Sequence, residues 1–466
     1  MVYITPHRYF YLLLSIFLGI ISCGHKSSVG LLSLSEAERK LAADADEILG
    51  LSRMNDRVSK VSIAAKEEKI SKDEAKKTLS ARKEHATASV DNTIASFRID
   101  GASIKQYNRF AYGFLASTLD DSKEPNRVVC PLSLEMLLSV VANGADSVAL
   151  EEILRYLKSS SLEELNEMNR SWLWLCRHPG KNSDFSLANS IWVADDIKIE
   201  RKFKKAVEDD CDGSFYTLDY DPIQSQKEIN LWAEKKTHGL IADFLKEPLK
   251  KTIKLAIYNA SYFEGVWWNQ FWKEDTSRSP FKTSKGIIEV ETMHNHFVEA
   301  NYFQADGYKG MDIDYADEIF CMRIILPHEG HTISEVIQSL SNGIVKSRKC
   351  SIFLSMPKFK IRYRIESLKN ILQASGLGLI FNDPSCLTSI TSYPGLFKEA
   401  ELSQETVIEC DEYGTKAAAV TGMLMATSTG ERIEYTEFKV DHPFIFLILE
   451  KKSGAVMFAG IVNDPT

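Results

Sequence analysis

Apolar positions recur along this chain in two rhythms. In "YNRFAYGFLASTL" (107–119) they fall at helical spacing, and "PLSLEMLLSVVANGA" opens at Pro131 and stops at Gly144, where proline and glycine punctuate a helix. Further on, apolar runs bounded by turn residues read as strands: "FSLANSIWVA", "KLAIYNASYFEGVW", "FCMRIILP", "SIFLSMPKFKI" and "FIFLILEKKSGAVMFAGIV". The last is a hairpin, two β-rich runs joined through "KKSG". Strands and helices in irregular alternation predict an α+β fold rather than a doubly wound sheet. No Pro/Gly/Ser-rich linker divides residues 101–466, which read as one domain.

Residues 23–100 carry neither rhythm. "AAKEEKISKDEAKKTLSARKEHATAS" (64–89) has no sustained apolar stripe, so it cannot bury much surface and reads as a charged tether, helical in part through opposite-charge neighbours. Residues 1–22 read as a targeting signal: after His7 and Arg8 comes "YFYLLLSIFLGIIS", short for a membrane span and of the right length for a secretory signal. Its end, "GIISC", resembles the lipobox of bacterial lipoproteins. That resemblance implies a diacylated Cys23 as mature N-terminus and a lipid-anchored, extracytoplasmic protein of a bacterial cell envelope. The alternative is a cleaved secretion signal with an incidental cysteine.

Composition narrows the chemistry. With 466 residues, 44% hydrophobic and 26% charged, the chain is ordinary for a folded domain, and a net charge of -8 argues against a nucleic-acid partner, which needs clustered positive charge. The basic runs "RKFKK" (201–205) and "KFKIRYR" (358–364) read as solvated faces, with a polyanion site as the alternative. After Cys23 come seven cysteines without C-x-x-C spacing, an odd number that reads as small core residues rather than a disulfide framework. His294 and His296 lack a second ligand pair nearby, so neither metal nor cofactor is expected. Nucleophile-elbow, H-E-x-x-H, P-loop and dinucleotide motifs are all missing, which argues against an enzyme.

One stretch resists these readings: "DEYGTKAAAVTGMLMATSTGER" (411–432), small-residued and without proline. Seven segments in order around it carry a resemblance: "CPLSLEMLLSVVANGA", "NSIWV", "INLWAEKKTHGLIADFL", "KLAIYNASYFEGVWWNQF" followed by Thr276 and Phe281, "MPKFKI", "ECDEYGTKAAAVT" and "DHPFIFLILEKKSGAVMFAGIVNDP". Together the chain resembles a serpin. The resemblance implies three β-sheets, about nine helices and an exposed reactive-centre loop. It implies a monomeric inhibitor of serine endopeptidases, with cysteine endopeptidases as a second class. The target attacks the loop as a substrate, and the cut loop enters the main sheet with the protease still covalently attached.

Carried over residue by residue, the hinge is Glu412, Gly414, Thr415, Ala417, Ala418, Ala419 and Thr421. Strand parity would turn Thr415, Ala417, Ala419, Thr421, Met423, Met425 and Thr427 to the core and Lys416 to solvent. A polar cluster that governs sheet opening is implied at Ser133, Asn259 and Gln404. Gln404 stands where the family usually has histidine, and Cys130 where it usually has a serine. Counting seventeen residues from Glu412, as inhibitory relatives do, puts the reactive bond at Ser428-Thr429, while counting back from "DHPF" gives Arg432-Ile433. A dozen ladder hydrogen bonds at roughly 1 kcal/mol each would be about cancelled by backbone ordering at roughly 1–2 kcal/mol per residue. Burial of Met423 and Met425, at roughly 1.5–3 kcal/mol each, and strain in the uninserted state would then drive insertion. The competing class is a non-inhibitory binding module on the same fold.

Overall fold

Pro131 enters the fold as the first residue of a helix whose twelve residues are all buried, and that helix underlies the sheet on which the candidate site is built. The computed structural model describes residues 101–119, 125–343, 346–365, 368–383, 385–393, 396, 400–415 and 436–466, all within a compact unit bounded by Ala88 and Thr466. Residues 1–100, which include Cys23, lie outside the described residues, as does 416–435.

Nine α-helices lie among the described residues. They are α1 (Gly101–Ser117), α2 (Pro131–Ala142), α3 (Ser147–Leu157), α4 (Leu162–Arg177), α5 (Arg201–Cys211), α6 (Pro222–Lys236), α7 (Ile333–Ser341), α8 (Leu368–Ala374) and α9 (Leu379–Asn382). An apolar stripe alone would leave a helix half-exposed, whereas α2 is apolar almost all round and so is wholly enclosed. None of the described helices is long and apolar enough to cross a membrane.

Fifteen strands lie among the described residues, in chain order: β1 (Arg127–Val129), β2 (Ser183–Ala194), β3 (Gly213–Leu218), β4 (Leu255–Val266), β5 (Ser277–Thr283), β6 (Gly286–Ala305), β7 (Tyr308–Asp314), β8 (Phe320–Pro327), β9 (Arg348–Pro357), β10 (Phe359–Ile365), β11 (Ala400–Cys410), β12 (Gly414–Thr415), β13 (Thr436–Lys439), β14 (Phe444–Glu450) and β15 (Val456–Val462). Six form one sheet in the order β10-β11-β12-β4-β2-β3. The other nine join through β6, which pairs with β5 over its first part, with β9 from Thr292 to Tyr302 and with β7 over its last residues. Its continuity links two of the three expected sheets into a single hydrogen-bonded path. The expected hairpin is β14–β15.

The six-stranded sheet has a core on each face, because alternate side chains of a strand point opposite ways. Leu255 and Ile257 of β4 enter the large core with α2, while Ala256, Tyr258 and Ala260 enter a smaller one with Ile229 and Trp232 of α6 and with Phe244. Within this sheet β4 and β11 run parallel, from Ala400 opposite Leu255 to Val407 opposite Tyr262. Beyond that point their direct pairing ends.

Candidate functional site

Into the mouth of the β4–β11 seam fits the shortest strand of the fold. Gly414 pairs with Val266 and Thr415 with Gly265 on β4, while Thr415 also pairs with Cys410 on β11, antiparallel in both cases. Only glycine suits position 414: a Cβ there would lie 2.0 Å from the carbonyl oxygen of Gly265. Thr415 is fully buried, and its Oγ1 lies 2.6 Å from the hydroxyl of Tyr315. Tyr315 stacks on Trp267, with ring centroids 4.6 Å apart, and the Trp267 indole donates to the carbonyl of Asp411 at 2.9 Å.

The approach to this strand is pinned from both sides. The amides of Trp267 and Phe271 donate to the carbonyls of Tyr413 and Glu412, each at 2.9 Å. The Asp411 carboxylate accepts from the amides of Tyr413 and Gly414. Glu412, nearly fully buried, accepts from the Thr276 hydroxyl at 2.9 Å and pairs with Lys358 at 3.3 Å. Burial alone would push the Glu412 carboxyl up, yet its own backbone amide, Thr276 and Lys358 together hold it below its ordinary value. It is therefore a buried anion with a built counter-charge.

Halfway down the seam lies the polar cluster. Gln404 and Asn259 are register partners across it. Ser133, on α2, donates to Oδ1 of Asn259, whose amide donates to Asn189 at 2.9 Å. The Gln404 amide donates to the carbonyl of Cys130 at 3.1 Å, while its Oε1 is buried without a donor among the described residues. Burial pushes the Cys130 thiol up to about 12, so this position contributes no charge. Two further hydrogen bonds cross the seam: Tyr258 to Glu401 and Ser261 with Thr406, both at 3.1 Å.

Of the positions anticipated from sequence, Ser133, Asn259 and Gln404 meet at this cluster, and Glu412, Gly414 and Thr415 meet at the seam mouth. Ala417, Ala418, Ala419 and Thr421, the parity assigned through Thr427, and both bonds, Ser428-Thr429 and Arg432-Ile433, lie outside the described residues. Sequence reasoning missed Tyr315 and Asn189, and it set Lys358 among solvated basic residues. Lys358 in fact bridges Glu412 and Glu291. Most of the rest of both basic runs is solvent-facing or ion-paired: Lys202, Lys204 and Lys205 are exposed, Lys360 meets Glu409 at 2.9 Å and Arg362 pairs with Asp243 and Glu405, whereas Arg364 is half-buried over the Phe244 ring.

The seven cysteines of the described unit are free, with Cys130, Cys321 and Cys410 buried in the core. His294 hydrogen-bonds Ser355 and Ser277, and no metal-holding group of His, Cys, Asp or Glu occurs among the described residues.

A family model described as serpin (serine protease inhibitor) matches residues 105–465. The chain is 29% identical to Serpin-Z4 of Arabidopsis thaliana, across 73% of this chain and 92% of that protein. It is likewise 29% identical to Iripin-1 of Ixodes ricinus, across 75% of this chain and 92% of the relative. Among solved structures, tengpin, a thermophilic serpin in its native state, aligns with a TM-score of 0.70 at 25% identity, covering 79% of this chain and 95% of its own. Arabidopsis AtSerpin1, in a native stressed conformation, aligns with a TM-score of 0.69 at 25% identity, covering 79% and 99% respectively.

Proposed function

Because the chain belongs to the serpin family, whose members are generally protease inhibitors rather than enzymes, we propose that it traps endopeptidases by inserting its cleaved loop between β4 and β11. One observation carries this reading: β12 already sits between the two strands, antiparallel to both. Continuing that strand would replace one parallel ladder by two antiparallel ones. Parallel pairing is the less stable kind per residue, so the exchange favours insertion as well as adding pairs.

The register of β12 can be extended downward. Thr415 faces Gly265 and Cys410, so each further step down the loop is one step back along β4 and β11. Thr421 would then arrive between Asn259 and Gln404, on the face that Thr415 presents to Tyr315. There its hydroxyl would donate to the vacant Oε1 of Gln404. Met425 would arrive opposite Leu255 and Ala400, where β4 and β11 begin. A cut after Ser428 therefore leaves a strand that spans all of β4, with a short connection to the protease. That length supports Ser428-Thr429 over Arg432-Ile433 as the reactive bond.

In this mechanism the protease's nucleophile attacks the carbonyl of Ser428, the amine of Thr429 leaves, and an ester or thioester joins Ser428 to the enzyme. Insertion must outrun attack by water on that bond. The N-terminal segment supports a lipid tether through Cys23, which would hold the inhibitor at a bacterial envelope.

The test is incubation with a panel of serine and cysteine proteases, followed by denaturing electrophoresis and mass analysis of the released peptide. A band at the summed mass with a peptide beginning at Thr429 is the expected result. Cleavage without such a band for every protease would favour a non-inhibitory module, and a peptide beginning at Ile433 would move the reactive bond.

A further inference from the structure

A cleft of about 360 Å³ opens where the start of β10 and the end of β11 meet the β5–β6 ribbon, a volume at the small end of ligand pockets. Strand register sets its walls. Phe359 faces Cys410 and Lys360 faces Glu409 across β10–β11, while Arg278 faces Glu291 across β5–β6. Val290, Phe359 and Cys410 are nearly fully buried, so what the cleft presents to solvent is mainly charge.

Some of that charge is already matched within the chain. Lys358 lies 3.4 Å from Glu291 and 3.3 Å from Glu412, and Lys360 lies 2.9 Å from Glu409. Three charges in the same cleft are not. Arg278 of β5 and Glu289 of β6 are exposed and make no ion pair or side-chain hydrogen bond among the described residues. Asp411 is half-buried and accepts from the amides of Tyr413 and Gly414, yet meets no cation. Burial, with Glu412 and Glu409 nearby, pushes its carboxyl up against the pull of those amides. A guanidinium takes a carboxylate through two parallel hydrogen bonds, and a carboxylate takes an ammonium group. The ligand complementary to these three groups is small and carries one carboxylate and two cations.

We propose that this cleft binds a dipeptide with a basic side chain, its terminal carboxylate held by Arg278, its α-ammonium by Asp411 and its side-chain cation by Glu289. Hydrolysis of polypeptides after lysine or arginine leaves ends of this kind, so proteolysis is the class of reaction that supplies the ligand. Binding here does not depend on insertion of the loop. Two of the three contacts are made by exposed groups, so binding is weak and salt reduces it.

The test is isothermal titration calorimetry of the intact chain with the dipeptide Ala-Lys at low salt. Saturable binding with a Kd of about 1 mM or tighter is the expected result. Ala-Lys amide, which has no carboxylate, should bind about tenfold more weakly. Arg278→Gln should weaken Ala-Lys by about the same factor and leave the amide unchanged. Glu289→Gln should weaken Ala-Lys and leave Ala-Ala, which has no side-chain amine, unchanged. N-acetyl-Ala-Lys offers Asp411 no cation and should bind more weakly than Ala-Lys. Both substituted residues are exposed, so the variants should fold as wild type does. Absence of saturable binding by Ala-Lys would overturn the site. So would Ala-Lys and its amide binding alike, or an affinity for Ala-Lys that Arg278→Gln leaves unchanged.

Discussion

Thr415→Arg places a cation where the first inserted residue is fully buried. The threonine hydroxyl lies 2.6 Å from that of Tyr315. Removing it costs the bond, about 0.5–1.5 kcal/mol net, and strands a buried phenol at about 1–3 kcal/mol. A guanidinium in the same space adds a desolvation cost of several kcal/mol unless it swings out, and swinging out unseats β12. Even about 3 kcal/mol against the first step slows insertion by about two orders of magnitude. Since insertion competes with hydrolysis of the acyl bond, complex should give way almost wholly to cleaved chain. Thr415→Val, which keeps the shape and loses only the hydroxyl, should fall between. The assay is densitometry of complex against cleaved chain after reaction with an excess of inhibitor. Undiminished complex from Thr415→Arg would refute the claim that this residue enters the sheet first.

Gln404→Leu, which removes the acceptor offered to Thr421 and the donor to Cys130, should lower the fraction of complex; a fraction equal to wild type would remove Gln404 from the opening mechanism. Gly414→Ala should unseat β12, because its methyl would lie 2.0 Å from the Gly265 carbonyl oxygen, and hydrogen exchange of the Thr415 amide should rise accordingly. Glu135 of α2 is fully buried and accepts one hydrogen bond, from Trp172 at 3.1 Å; burial pushes it up to about 8. The folded chain thus keeps a proton that the unfolded chain releases in the ordinary carboxylate range. Stability from this group should fall as pH rises from about 4.5 to about 8, by at most about 1.4 kcal/mol per pH unit, and denaturant titrations of Glu135→Gln should lose that slope. Cys23→Ser should release the protein from membranes or block its maturation, as fractionation would reveal; membrane retention of a fully processed variant would contradict the tether.

What the sequence disclosed depended on how locally each feature was encoded. Helix α2 announces itself by proline, glycine and spacing within fifteen residues, and β14–β15 by a hairpin of adjacent runs. Strands β5, β6 and β7 went unread, because β6 has polar residues over much of its length and shows no sustained alternation. At the seam, ordered motifs located Gly414 and Thr415, yet nothing near them names Tyr315, a hundred residues away, as the partner of Thr415. The same holds for Gln404 and Cys130, 274 residues apart. Lys358 was misjudged for a related reason. Charge runs are usually solvated, and only the packing of Glu412 beneath β10's entrance makes this lysine a counter-ion.

The central claim is that the β4–β11 seam is the slot into which the loop passes, and that the intact chain is the less stable form. The most direct measurement is the melting temperature of the intact chain beside that of chain nicked once within residues 416–435. Burial of Met423 and Met425 alone, at roughly 1.5–3 kcal/mol each, predicts a rise of about 4–8 °C on nicking for a unit of this size, and release of the strain held in the uninserted state adds to it. Intact and nicked chains that melt within a few degrees of one another would contradict the account.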